Sequence, residues 1–366
     1  MQRLKTSFIF MIVCLLICAA LTAKETNVYK GKKIYCSMAG NGDPWQAITA
    51  PRRPILLAMH DGLNIERLAE VFNMSVEQMI SEIQPLRESN LVKVVNNRYT
   101  PDFFISNLSE TKQVYSHSKT TGKILAEALL TEWDRIEQSF SQLSFSKSYS
   151  LKEQGFMFVG ARILDIGMLG ALVRDKSLLE IAPSRPSPKS PDGRYYFWMV
   201  EGEPEHLGKY GQDDTDLSWA NWHFLNFGQT IIDGMINQKR KIFEYKSANI
   251  IKSTPAESPD SLAKILNVPF LSKEDSNIWT KVSRQVSNRL LKVLIEKSHE
   301  FKNFYDTLKT SKYANNSFGE FFCWYYHLVY AWVIDELHER GAIIIPPERF
   351  SGIIMYREGP EGLLSK

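Results

Sequence analysis

The densest group of side chains that could do chemistry lies between Glu201 and His223. It combines carboxylates, imidazoles and aromatic rings, in the order Glu201, Glu203, Glu205, His206, Tyr210, Asp213, Asp214, Asp216, Trp219, Trp222 and His223. Zinc and iron accept imidazole and carboxylate ligands, so His206 and His223 with one carboxylate are weak candidate metal ligands. Their spacing matches no metal motif, because there is no His-Glu-x-x-His and the aspartates do not follow the calcium-loop register.

Two other interpretations fit the same residues. In one, aromatic faces and carboxylates converge on a cleft for a sugar or another small ligand. The candidate ligand-binding residues are then Tyr196, Trp198, Glu201, Glu203, His206, Tyr210, Trp219, Trp222 and His223. In the other, the acidic residues form a solvated loop over an aromatic core, and this simpler interpretation stays open beside the cleft. No motif identifies a cofactor.

Catalytic patterns elsewhere are weak. The sequence has no Gly-x-Ser-x-Gly elbow, no phosphate-binding glycine-rich loop and no dinucleotide fingerprint. Cys323 and His327 are one helical turn apart, but the apolar run around them disfavours a thiolate. His327 and His338 fall on one helical face, a pattern that favours a core histidine and a surface histidine over a ligand pair. We therefore predict no catalytic residue and favour a protein that is not an enzyme, and the sequence leaves enzymatic activity open.

The first 23 residues have the pattern of an export signal. Arg3 and Lys5 precede an uninterrupted apolar run of fourteen residues, Phe8–Leu21, followed by Thr22 and Ala23. That length is typical of a signal peptide and is short for a membrane span, which needs about 20 residues. We predict a signal peptide over residues 1–23 and an extracytoplasmic mature protein, periplasmic or secreted, without a transmembrane span.

Cysteine positions add two expectations. A lipid anchor at Cys18 is an alternative to cleavage, although the bulky Ile17 before it disfavours such a site. Cys36 and Cys323 remain in the mature chain and could pair in an oxidising compartment. Two cysteines do not make a disulfide framework, so the sequence leaves this pairing open.

The length and the net charge of the chain limit the number of domains and the classes of partner. With 366 residues, 44% of them hydrophobic, the chain can form two or three domains. The formal net charge of +3 falls to +1 when the two bases of the leader are removed (3 − 2 = 1). Bulk basicity therefore gives no indication of nucleic acid or of an anionic lipid surface.

Residues 63–104 have the periodicity of two short helices followed by a hairpin. The second helix starts at Ser75, with Gln78 three residues later as the partner of a capping box. Its predicted inner face consists of Val76, Met79, Ile80, Ile83 and Leu86. Asn96-Asn97 between two apolar runs can take positive φ in a tight turn. With an upstream helix over residues 54–60, the pattern predicts a winged helix.

This segment resembles the ArsR/MarR-like winged-helix family over about 50 residues. The resemblance rests on Leu68-Ala69-Glu70, on Met74-Ser75 and on Leu86-Arg87-Glu88-Ser89-Asn90-Leu91-Val92, which is similar to the family's exit from its recognition helix. Asn90 stands where the family usually has glycine, and asparagine can adopt the same left-handed conformation. The resemblance implies the fold, and it implies DNA contacts at Gln78, Ser81, Arg87, Lys93 and Arg98.

The net charge of this segment does not fit the DNA binding that the resemblance implies. Residues 62–104 contain four bases and six acids, a net charge of −2 (4 − 6 = −2). Because phosphate neutralisation supplies most non-specific affinity, a module of this charge is poorly suited to DNA. Pro85 should also interrupt the second helix. Nucleic acid is therefore disfavoured as a partner, and a protein or a small ligand is favoured.

The remaining chain is mainly helical, so we predict an α+β fold that is mostly helical. The predicted order is a winged-helix domain over residues 44–106, a bridging helix over 107–148 and a helical domain with a small sheet over 149–366. A sub-boundary at 252–272 is a further alternative, and the bridging helix could form a homodimer. The expected function is an exported, non-enzymatic binding protein. A winged-helix transcriptional regulator and a metal-dependent hydrolase are the alternatives.

Overall fold

The computed structural model describes residues 28–187, 189–217, 222–229, 266–314, 317–346 and 350–357. In chain order the helices are α1 (Arg52–His60), α2 (Ile65–Phe72), α3 (Val76–Glu88), α4 (Leu108–Leu130), α5 (Trp133–Phe140), α6 (Leu151–Asp175), α7 (Lys273–Glu296), α8 (Ser298–Thr307) and α9 (Phe318–Glu339). The strands are β1 (Ile34–Asn41), β2 (Val92–Val95), β3 (Arg98–Pro101), β4 (Phe104–Ser106), β5 (Arg194–Glu201), β6 (Tyr210–Leu217), β7 (Trp222–Gln229) and β8 (Phe350–Arg357). The described chain is thus mixed α and β, with helices predominating over three small sheets.

Several predicted features lie outside the described residues. They are the signal peptide over residues 1–23 with the anchor alternative at Cys18, Trp219, and most of the sub-boundary at 252–272. These stay predictions.

The chain divides into two compact units that are not contiguous in sequence. Unit 1 comprises residues 1–111, 182–202 and 304–321, and unit 2 comprises 112–181, 203–303 and 322–366. This division differs from the consecutive domains expected from the sequence, because two later segments return to the N-terminal unit. The expected bridging helix over 107–148 is also divided, into α4, α5 and a short 3₁₀ turn.

Unit 1 begins with α1–α3 and the hairpin β2–β3, and local sequence explains each of their boundaries. The predicted capping box is confirmed: the Ser75 hydroxyl accepts from the Gln78 amide at 3.2 Å, and the Gln78 side chain accepts from the Ser75 amide at 2.8 Å. Asn90, Asn96 and Asn97 have φ of 54°, 50° and 62°, the left-handed conformation that asparagine tolerates.

Two expectations about α3 were wrong. The helix continues through Pro85 to Glu88 instead of ending or breaking there. Proline three residues before the end of the helix removes only one of the last intrahelical bonds. Ile80, predicted to lie on the inner face, is 38% exposed, whereas Met79, Ile83 and Leu86 are fully buried.

The sheet of unit 1 has the strand order β1-β5-β4. Strand β1 pairs with β5 in antiparallel register, with Ile34 opposite Glu201, and β4 pairs with β5 in parallel, with Phe104 opposite Trp198. All residues of β5 except the first, Arg194, are buried. One face of this sheet shares a hydrophobic core with α1–α3.

Unit 1 contains a buried ion pair between Arg185 and Glu320. Glu320 follows Ser317 at the spacing of a capping box, but it bonds elsewhere: its carboxylate accepts from the amides of Phe104 at 2.9 Å and Phe197 at 3.2 Å. It also pairs with the Arg185 guanidinium at 2.6 Å. These three donors satisfy the carboxylate better than the single amide of a helix cap could.

Unit 2 is built around α6, whose residues Phe156–Gly167 form a π-helix. Helix α7 packs against it, and the indole of Trp279 stacks on the Phe158 ring at 5.0 Å and 11°. By length and composition α6 could cross a membrane, but 72% of its most apolar window is buried within the protein, as in a core helix. Strands β6, β7 and β8 form an antiparallel sheet in this unit.

Candidate functional site

The outer surface of α3 and the hairpin is the first candidate site. The five residues implied as DNA contacts all lie there, but their side chains differ in availability. Lys93 is ion-paired to Asp102 at 2.5 Å. The Arg87 guanidinium lies over the Tyr99 ring, 5.8 Å from its centroid, and also donates to Gln84 at 3.4 Å. Two of the three basic side chains, Arg87 and Lys93, therefore already make contacts within the protein.

Gln78, Ser81 and Arg98 complete this set of implied contacts, and all three are exposed. Gln78 uses its side-chain oxygen to cap α3. Arg98, on the second strand of the hairpin, is thus the base of this surface whose guanidinium makes no hydrogen bond, ion pair or ring contact with the described residues. One such base cannot neutralise a phosphate backbone, since each phosphate contact requires its own cation.

Apolar side chains are exposed both on α3 and on the hairpin. Ile80 on α3 is 38% exposed, and Val94 and Val95 on the hairpin are 49% and 40% exposed. Exposed carboxylates of Glu77 and Glu88 lie along α3 at helical spacing from Ile80. We call the exposed side chains of α3 and of β2–β3, taken together, the α3–hairpin face. It is apolar in part and acidic along the helix.

The predicted ligand cleft is distributed over both units. Tyr196, Trp198 and Glu201 belong to β5 of unit 1 and are 6%, 1% and 8% exposed. The Glu201 carboxylate pairs with Lys32 at 3.0 Å and accepts from the Leu108 amide at 3.0 Å. This burial and pairing give these three residues a place in the core of unit 1.

Glu203, His206 and Tyr210 belong to unit 2, where His206 is held from two sides. Its Nδ1 accepts from the Glu203 amide at 2.9 Å, and its ring packs edge-on against Tyr115 with centroids 4.7 Å apart. Burial lowers the pKa of His206, although the Glu205 and Glu203 carboxylates oppose that shift. The imidazole is therefore neutral near pH 7 and presents Nε2–H.

Around this histidine lies a cluster that sequence analysis missed. The Tyr115 ring also packs against Trp332 at 5.0 Å, and the Lys119 ammonium lies 4.8 Å from the centre of the Trp332 ring. Burial raises the pKa of Tyr115 to about 12, and the nearby carboxylates of Glu205 and Asp335 add to the shift. The contacts join α4, the turn after β5 and α9, so no local sequence signal could have revealed them.

Tyr210, the third member in unit 2, has a polar role inside the fold. Its hydroxyl donates to Asp335 at 2.6 Å, and Lys209 pairs with the same carboxylate at 2.7 Å. Burial and the Asp335 carboxylate together raise the pKa of Tyr210 far above its ordinary value. Tyr210 is therefore a hydrogen-bond donor and not an acid at neutral pH.

The metal hypothesis finds no support among the described residues. No group of three or more His, Cys, Asp or Glu side chains in that part of the chain could hold a metal ion. Nδ1 of His206 is already bonded to a backbone amide. Trp222 and His223 lie on β7, opposite Leu217 and Asp216, and their side chains are outside the described set.

Unit 1 contains a Glu–His–Tyr arrangement that sequence analysis also missed. His60 Nε2 lies 3.0 Å from a Glu110 oxygen, and Nδ1 lies 2.6 Å from the Tyr313 hydroxyl. The carboxylate fixes the tautomer, so Nε2–H donates to Glu110 and Nδ1 accepts from the phenol. This order resembles an orienting acid, a base and a nucleophile. However, His60 is fully buried, and burial raises the pKa of Tyr313 far above its ordinary value, so we assign the arrangement to structure.

Cys36 is half-buried in unit 1 and Cys323 is buried in unit 2, and the pairing left open by the sequence stays open. Comparisons of the chain with protein-family models, with curated proteins and with solved structures found no match. The function must therefore be argued from the surfaces described above.

Proposed function

We propose that this chain is an exported binding protein that uses the α3–hairpin face to dock on another protein. In this proposal α1–α3 and β2–β3 are a winged-helix module that has lost DNA as its partner. The proposal rests on two features of that face. The basic side chains of Arg87 and Lys93 make contacts within the protein, whereas the apolar side chains of Ile80, Val94 and Val95 are exposed.

The charge of the module supports a protein over DNA. Six acids outnumber four bases between residues 62 and 104, so a duplex would be repelled at long range. Exposed aliphatic side chains gain little against a phosphate backbone, but they are the usual centre of a protein interface. Export, the second part of the proposal, is supported by the leader pattern and would also separate the module from the chromosome.

The same features define the chemistry of the partner. Ile80 and the two valines require an apolar patch opposite them, and Glu77 and Glu88 favour lysine or arginine around that patch. We therefore propose a protein partner whose docking surface is apolar at its centre and basic at its rim.

Site-specific photo-crosslinking tests this proposal. A photoreactive residue replaces Ile80 or Val94 in the full chain, and it replaces Ile181, which is 62% exposed, in a matched control. We expect one discrete adduct from Ile80 and Val94 and none from Ile181. Excess unlabelled protein should suppress the adduct, whereas excess Ile80→Asp protein should not. Equal adducts from all three positions would contradict a defined face.

A DNA titration tests the alternative directly. Fluorescence anisotropy of a labelled duplex at low salt should show no binding by the full chain. Salt-dependent binding that weakens in Arg98→Ala would overturn the proposal and favour a regulator.

No ligand is proposed for the residues of the predicted cleft. Glu203, His206 and Tyr210 lie in one unit, but Tyr115 covers His206 and Lys119 covers Trp332. The homodimer through residues 107–148 likewise stays a prediction.

A further inference from the structure

The middle of α6 is an unusually long π-helix. π-Helices are rare and mostly occur as single-turn bulges, often at functional sites, whereas Phe156–Gly167 spans twelve residues. Its wide turns are held by neighbouring helices. Three hydroxyls donate to three consecutive carbonyls: Ser283 to Arg162 at 2.7 Å, Ser287 to Ile163 at 3.1 Å and Tyr326 to Leu164 at 2.5 Å.

Asp165 follows these three residues, and its surroundings are different. It is 5% exposed, and the described part of the chain provides no hydrogen bond to its carboxyl group. The nearest basic side chain on the same helix, Arg162, donates instead to the Thr280 hydroxyl at 3.0 Å. Among the described residues, an ionised Asp165 would therefore be a buried charge to which none of them donates, which is costly.

The elements packed around α6 present no described cation to Asp165. Helix α9 presents the phenols of Tyr326 and Tyr330, whose pKa values the Asp165 charge would raise further. The described contacts from α7 are an indole and hydroxyl groups, and those from β6 and β7 are aromatic rings. The ionisable groups at the two ends of α6 are exposed: Lys152, Glu153, Arg174 and Asp175.

We propose that Asp165 is a proton-operated switch: the neutral carboxylic acid keeps the π-helical section packed, and its ionisation loosens that section. Burial raises the pKa of Asp165 to about 7, which places the change near neutrality. The sign follows from linkage. Because the folded state holds this proton more tightly than the unfolded state, the stabilisation is complete below the unfolded pKa and is lost as pH rises through the folded one. The switch is independent of the docking proposal, because it uses no residue of the α3–hairpin face.

Asp165→Asn tests the switch, since the amide is neutral at every pH and has nearly the same shape. We expect the melting temperature of the wild-type transition that involves unit 2 to fall between about pH 5 and about pH 8. The variant should lack this fall and should melt about 5–10 °C above the wild type at the higher pH. Asp134→Asn, on the exposed side of α5, is the matched control and should follow the wild type.

Hydrogen exchange locates the effect. With the intrinsic pH dependence of exchange removed, wild-type protection over residues 156–167 should decrease at least tenfold across the same interval, and Asp165→Asn should retain it. A variant that keeps the wild-type pH slope, or that melts below the wild type at both ends of the range, would overturn the proposal. Either result would mean that the ionised carboxylate is stabilised in the fold.

Discussion

Glu320 in unit 1 and Asp165 in unit 2 are both buried carboxyl groups, and their surroundings differ. In unit 1, Glu320 is 1% exposed and is surrounded by the Arg185 guanidinium and two backbone amides. Arg185 in turn donates to the carbonyls of Asp102 at 2.7 Å and Tyr195 at 3.1 Å. In unit 2, Asp165 is 5% exposed, and the described residues supply it with no donor.

The two sites differ in what opposes the unfavourable free energy of burying a carboxyl group. Around Glu320, an opposite charge and two backbone amides lower the pKa, but burial has the larger effect and raises it to about 7. Around Asp165 the described residues supply no such donors, and burial raises the pKa to about 7. Specific bonds therefore hold the first carboxyl group in place, whereas the described residues hold the second only by packing.

We expect the largest loss of stability from a substitution that removes the ion-pair partner of Glu320, so that its carboxyl group, like that of Asp165, has no described cation beside it. Arg185→Ala leaves the Glu320 charge buried without its partner, and we expect unfolding free energy to fall by about 3–5 kcal/mol at mildly alkaline pH. Burial already raises the pKa of Glu320 to about 7, and without Arg185 it should rise further. The loss should therefore become smaller at about pH 5. Urea unfolding at both pH values measures this, and the exposed Arg194→Ala is the control.

The packing around the second site can be tested at Gly167. An added Cβ there would lie 2.5 Å from the hydroxyls of Ser283 and Ser287 and 2.7 Å from the Arg162 carbonyl. We expect Gly167→Ala to cost about 1–3 kcal/mol, measured by urea unfolding. Gly170→Ala is the matched control, because its Cβ meets only the end of the Arg174 side chain at 3.2 Å. A neutral Gly167→Ala would contradict the packed π-helical section.

A smaller effect is expected from removing one donor near Asp165. Tyr326→Phe deletes the hydroxyl that donates to the Leu164 carbonyl, and we expect a loss of about 1–2 kcal/mol. The loss should be localised by hydrogen exchange to residues 156–167. Tyr99→Phe, at a half-exposed tyrosine of the hairpin, should change stability by less.

The smallest effect is expected where a charge pair is exposed to water. Lys93→Ala removes the Lys93–Asp102 pair, whose side chains are 26% and 42% exposed. Because solvent screens such a pair, we expect a change of about 0–1 kcal/mol, decreasing with added salt. A loss as large as that of Arg185→Ala would mean that the exposed pair stabilises the fold as much as the buried pair does, which would contradict this prediction.

Local sequence signals were sufficient for α1–α3 and the hairpin. A capping serine, three asparagines with positive φ and the apolar periodicity each act within a few residues, so their effects can be recognised without the fold. The side on which Ile80 lies could not be decided in this way. A helix with apolar residues at 79, 80 and 83 has two adjacent candidate inner faces, and the tertiary core selects one.

Non-local pairing explains what the sequence did not predict. Glu320 has the spacing of a helix cap, but its partners at Phe104, Arg185 and Phe197 are far away in the chain. The predicted cleft residues are close in sequence, and yet β5 takes Tyr196, Trp198 and Glu201 into one unit while the next turn takes His206 into the other. Proximity in sequence was therefore a poor guide to a shared site.

The central position of β5 has a consequence for how the protein is made. During synthesis, β1 and β4 leave the ribosome long before the strand that joins them. The Arg185–Glu320 pair must wait still longer, until almost the whole chain has emerged. Until β5 has emerged, β1 and β4 lack the strand with which they pair, and the apolar residues that pack on β5 stay uncovered.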